Sequence, residues 1–181
     1  MAGLSESGSD VILPNEWRGV RILEQARAAI KPVDTVLDVG AGIRPQSIVP
    51  CARQVCMEPH YEYAAILLHA GYKTVYAAAP RGFDYVRDAI DTVVLLDVIE
   101  HMTKDDGALT IRRSLEIARV QVVVFTPLGF LAQSGDAWGL RGDVWQQHRS
   151  GWTPDDFPGW RHFVNRRFAP KHGAFVAIHD A

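Results

Sequence analysis

The chain has little cysteine, no strong charge of either sign and no long apolar run. Two cysteines, Cys51 and Cys56, are too few for a disulfide framework, and their spacing fits no common zinc motif. The formal net charge is −2, so the composition lacks the broad basic surface that a nucleic-acid partner usually needs. A local basic cluster, Arg161, His162, Arg166, Arg167, Lys171 and His172, reads as a solvated face rather than a phosphate site. No apolar stretch approaches the roughly 20 residues of a membrane-spanning helix. The polar start MAGLSESGSD has no basic-then-apolar signal pattern. The expectation is a cytoplasmic chain with one domain over 1–181 and a frayed segment over 1–14. Its 48% apolar content is enough for a sizeable core.

What the chain has is alternation. The helical spacing of Trp17, Val20, Leu23, Ala26, Ala29 and Ile30 predicts a first helix over 15–30. Asn15 can cap it and Lys31-Pro32 can end it. Then come a strand at TVLDV, a helix over 45–52 with Pro45 in its first turn, and a strand at RQVCME. EYAAILLHAG reads as a helix stopped by Gly71, KTVYAA as a strand, and DYVRDA as a short helix or turn. DTVVLLDV and VQVVVFTP are fully apolar strands, joined by a helix over 104–119 that Thr103 can cap. HFVNRRF and GAFVAIH read as a closing hairpin. The pattern predicts an α/β, Rossmann-like sheet, mostly parallel, with helices on both faces and an antiparallel pair at one edge. Ligands of such sheets lie beyond the carboxyl ends of the strands, where strand order reverses.

Three motifs fall at predicted strand ends. In VLDVGAGIRPQ, residues 36–46, Asp38 ends the strand. Gly40 and Gly42, on either side of Ala41, let the backbone turn tightly and a ligand come close. Pro45 stands where a dinucleotide fingerprint has its third glycine, and it donates no N–H. The turn therefore suits an amino-acid-like group and a nucleoside better than a pyrophosphate. In VCMEP, Glu58 ends the second strand 18 residues after Gly40, followed by Pro59. An acid there can accept both ribose hydroxyls. LLDVIEHM sets Asp97, Val98, Glu100 and His101 at the end of the fourth strand. Its titratable groups suit a general base, a substrate anchor or a metal ligand set.

In that order and on those strands, VLDVGAGIRP, CMEP and LLDVIEHM resemble the class I S-adenosylmethionine-dependent methyltransferases. The resemblance covers 35–127. It implies a seven-stranded sheet with the last strand antiparallel, methyl-transfer activity and S-adenosylmethionine as cofactor. It also implies that the turn around Asp38, Gly40 and Gly42 faces the methionine part of the cofactor, that Glu58 holds the ribose, that Asp97 lies near the sulfonium, and that Ala41, Pro59 and Val98 are among the cofactor-binding residues. One departure concerns the adenine. Many members contact it through an acid after the third strand, and here no acid appears until Asp84. Ala78, Ala79 and nearby backbone are left for that task.

Residues 128–167 read as an aromatic-rich insertion on the substrate side, and hold Trp138, Trp145, Trp152 and Trp160. Thr153 can cap a short helix start, with Pro154 in its first turn and Trp152 stapled to Phe157. Trp152 and Phe157 are expected to pack. Gln133, Asp136, Trp138, Arg141 and Trp145, with Glu100, are expected to contact the acceptor. Asp97, Glu100, His101 and His148 also resemble a set that small-RNA 2′-O-methyltransferases use for a divalent cation. The expectation here is nevertheless no metal. His148 or His101 would serve as general base, and Asp97 would orient cofactor or substrate. The expected function is methyl transfer to a small-molecule acceptor, with O-methylation of a sugar or natural-product hydroxyl foremost. A homodimer is compatible with the sequence. The alternatives are a metal-assisted O-methyltransferase, a non-catalytic cofactor-binding member that serves a partner, and a nicotinamide oxidoreductase. Pro45 counts against the last.

Overall fold

The structure is a computed structural model that describes residues 19–166 and 173–181. Seven strands form one sheet in the order β3-β2-β1-β4-β5-β7-β6. They are β1 (Val33–Val39), β2 (Cys51–Met57), β3 (Lys73–Val75), β4 (Ile90–Leu96), β5 (Ala118–Pro127), β6 (Arg161–Asn165) and β7 (Ala174–Asp180). The first five run parallel, β7 pairs antiparallel with β5, and β6 pairs antiparallel with β7. The expected sheet and its closing hairpin are both present.

The helices are α1 (Gly19–Arg27), α2 (Tyr61–His69), α3 (Lys104–Ile117) and α4 (Asp143–Gln146). Side chains of the central strands alternate between two faces and build two cores. Leu37, Val93, Leu95, Val122 and Val124 join Trp152, Phe157 and Phe175 in one, against which Ile111 and Leu115 of α3 pack. Val36, Val94, Val123, Phe125, Val176 and Ile178 join Ile22, Ala26 and Ile30 in the other. No described helix is long and apolar enough to cross a membrane.

Three elements differ from expectation. The first helix ends at Arg27, and Asn15 and Trp17 lie outside the described residues, as do Arg167, Lys171 and His172 of the basic cluster. The third strand is only three residues long. The helix expected over 45–52 does not form, and turns and bends join β1 to β2. Local competition explains this. Gln46 N–H is taken by the Asp38 carboxylate at 2.7 Å, and the Gln46 side chain accepts from Val49 N–H at 2.9 Å. Pro45 and Pro50 frame too few residues to nucleate a helix against such bonds. The glycine turn therefore leads into no helix N-terminus.

In this order β1 lies between β2 and β4, so the chain reverses direction across the sheet at β1. The crevice beyond β1 and β4 is the expected ligand position of such a sheet. Val39 sits beside Leu95 in the register, which sets the glycine turn next to Asp97.

Candidate active site

Gly40 and Gly42 have φ of +68° and +57°, a left-handed conformation that a side chain would strain. Gly40 N–H crosses to Met57 O at 2.7 Å and ties the turn to β2. A Cβ on Gly40 would meet Val98 Cγ2 at 2.8 Å, so Val98 lies against the turn. A Cβ on Gly42 would overlap the indole of Trp138.

Asp38 is buried and accepts from Gln46 N–H and from Gln54 Nε2 at 3.1 Å. Burial pushes its carboxyl up to about 7, against the pull of the Gln46 N–H and with some help from the charge of Glu58. Glu58 is also buried. Its Oε2 accepts from Gly42 N–H at 2.8 Å and its Oε1 from His60 N–H at 2.9 Å. Burial raises its pKa, and those two amides hold the rise back. The acid expected at the ribose thus braces the glycine turn and the start of α2. Each carboxylate oxygen still has a second lone pair for a ligand.

Asp97 follows β4 with φ +61°, a conformation that Asp tolerates better than most residues. A short 3₁₀ turn, Ile99–His101, then points Glu100 inward. Glu100 Oε2 accepts from Thr126 Oγ1 at 3.0 Å, while Oε1 is buried without a partner. Burial first, then the neighbouring charge of Asp97, pushes Glu100 well above the usual carboxylate range. His101 Nδ1 is likewise buried and unpartnered. Burial and the adjacent His148 lower the His101 pKa.

His148 arrives from the loop after β5, and its ring stands edge-on to His101 with centroids 4.8 Å apart. Its Nδ1 lies 2.6 Å from Leu131 O. A carbonyl only accepts, so this contact calls for a proton on Nδ1, and in the neutral ring Nε2 is then the atom with a lone pair. The loop is fixed here by Arg149 and Ser150 N–H, which donate to Glu100 O at 2.7 and 3.1 Å. Glu100, His101 and His148 each offer a ligand atom, all within 4.8 Å of one another.

The residues expected to contact the acceptor divide. Gln133, Arg141 and Trp145 are exposed. Trp138 covers Gly42. Asp136 holds the loop together. It accepts from Trp138, Leu140 and Gly142 N–H, from Gln146 Nε2 at 2.9 Å and from Tyr63 Oη at 2.6 Å. Burial alone would raise its pKa, but these donors, Tyr63 foremost, hold it down at about 2. Sequence reasoning missed Tyr63, His60, Gln146 and Thr126. Tyr63 falls inside an apolar helix and gives no local signal of a polar task.

A scan against protein-family models finds no match, and no curated protein matches. Solved structures do. A SAM-dependent methyltransferase from Archaeoglobus fulgidus aligns with a TM-score of 0.59 at 10% identity, over 90% of this chain and 94% of that one. The DhpI–SAM–HEP complex aligns at 0.61 and 14% identity, over 89% and 85%. The small RNA methyltransferase HEN1 aligns at 0.61 and 15% identity, over 97% of this chain but 27% of that one. The fold is that of the class I SAM-dependent methyltransferases.

Proposed function

We propose that this protein is an S-adenosylmethionine-dependent methyltransferase whose acceptor is a small molecule carrying a hydroxyl, such as a sugar or natural-product intermediate. When bound, that cofactor would supply a methyl group on a positively charged sulfur for transfer to the acceptor oxygen. The chain's own task is alignment and proton removal. The glycine turn, Glu58 and Val98 border the crevice where the cofactor would lie, with Asp97 at its reactive end. Ala41 lies within that turn and Pro59 follows Glu58.

The reading is carried by the His148 Nδ1 contact with Leu131 O, which in the neutral ring leaves Nε2 to accept the acceptor's proton, with His101 beside it. The formal charge of −2 supports a small acceptor over a nucleic acid. His148→Ala is expected to slow turnover about 100-fold or more while S-adenosylhomocysteine affinity stays within about two-fold. Full activity in that variant would sink the assignment.

One observation favours a second reading. Glu100 Oε1 and His101 Nδ1 are buried without partners, and Glu100, His101 and His148 form a cluster with ligand spacing among the described residues. One carboxylate and two imidazoles fit manganese, zinc or iron better than magnesium. A divalent cation held there would polarise the acceptor hydroxyl. Titrating Mn²⁺ into metal-stripped protein separates the readings. Tight binding that Glu100→Gln abolishes supports the cation. Chelator-insensitive turnover supports His148 acting alone.

A further inference from the structure

The loop after β5 does more than deliver His148. Its base is closed where Gly129 N–H meets Trp152 O at 2.6 Å. From there residues 131–149 cross to the far side of the crevice and dock on the turn and on α2. The room that Gly42 leaves by lacking a side chain is filled by the Trp138 indole. His60, two residues after Glu58, meets Leu140 O through Nε2 at 2.7 Å. Tyr63 Oη donates to Asp136 and accepts from Gln146 Nε2 at 2.8 Å. The Tyr63 ring stands edge-on to Trp138 at 4.9 Å. Glu58, beneath, is 3% exposed.

We propose that residues 131–149 form a strap over the glycine turn, latched by Tyr63 through Asp136 and Gln146, and that the nucleoside cofactor enters only when this latch opens. The proposal rests on the cofactor reading above. Three features make the strap movable. No residue of 131–149 belongs to the two large apolar cores of the described residues. Its attachments to α2 are polar bonds and one ring contact, which can break without opening a cavity in the sheet. Gly129 and Gly135, at φ +76° and +99°, lie near its start, and Gly129 has open space where a side chain would be. His148 lies at the strap's end, where Arg149 and Ser150 N–H hold the chain to Glu100 O independently of the latch.

The test uses the full chain and S-adenosylhomocysteine. Tyr63→Phe keeps the ring against Trp138 and removes the hydroxyl. One hydrogen bond to a charged acceptor corresponds to roughly ten-fold in an opening equilibrium. Stopped-flow tryptophan fluorescence on the wild type should give a binding rate that saturates with ligand concentration. Tyr63→Phe should raise that plateau about ten-fold. It should also speed hydrogen exchange at the amides of Trp138, Leu140 and Gly142, which Asp136 accepts. Asp136→Asn should repeat both effects from the strap side. A rate linear in ligand and unchanged in both variants would overturn the gate and leave the cofactor reading intact. If no form binds, the cofactor reading falls and the entry step with it. Amide exchange unchanged in both variants would overturn the latch itself.

Discussion

The glycine turn after β1 and the loop after β5 border one crevice, but they are built over different ranges of sequence. The turn closes on itself. Asp38 reaches Gln46, Gln46 reaches Val49, and Glu58 reaches back to Gly42 across 16 residues. The loop depends on α2, through Tyr63 at a separation of 73 residues from Asp136 and His60 at 80 from Leu140. A region made of near neighbours advertises itself in composition and spacing. A region made of distant partners shows only that it is aromatic and polar. Its aromatic residues take opposite parts: Trp152 is core, Trp138 is cover, and Trp145 faces solvent.

The largest expected effect breaks the base of the loop and spares the turn. Trp152 is buried, packs on Phe157 and Gly107, carries Lys104 over its ring at 3.6 Å, and donates from Nε1 to Ser150 Oγ at 2.9 Å. Trp152→Ala should lose about 3–5 kcal/mol in urea unfolding. A loss under about 1 kcal/mol would mean that the loop is not rooted in the core.

A smaller effect probes the turn. Burial pushes the Asp38 carboxyl from its ordinary 3.8 up to about 7 in the folded state. The folded state therefore holds its proton more tightly, so this group's stabilising contribution is full below pH 3.8 and is lost as pH rises through about 7. Asp38→Asn keeps an acceptor for Gln46 N–H and should flatten the fall in melting temperature across that window. An unchanged slope would show that Asp38 is not buried as described.

The smallest effect returns to the loop. Arg141 is exposed with φ +63°, a left-handed conformation that costs a non-glycine residue about 1 kcal/mol. Arg141→Gly should leave stability within about 1 kcal/mol of the wild type or raise it slightly. A loss larger than that, by chemical denaturation, would assign the side chain a packing role.

Much of the fold was legible. Val, Ile and Leu runs set the strands, Gly71 and Thr103 marked helix ends, and the strand-end motifs set the glycine turn beside Asp97. The 45–52 segment reads as helix because its local signals do not show the side chains that compete for the same N–H groups. In the site, the resemblance groups Asp97 with Glu100, His101 and His148, and the structure brings ligand atoms of the last three together. Tyr63 was not anticipated, because its hydroxyl acquires a partner only when the loop folds over α2.

The sequence by itself determined the sheet and the crevice, because burial periodicity and glycine turns act over a few residues. The tertiary structure alone decided which polar groups are satisfied. It turned Glu58 and Asp136 into braces, set a carbonyl 17 residues away against His148 Nδ1, and left Glu100 Oε1 and His101 Nδ1 without partners. Hydrogen-bond satisfaction depends on what the fold brings within about 3 Å, and no local pattern encodes that.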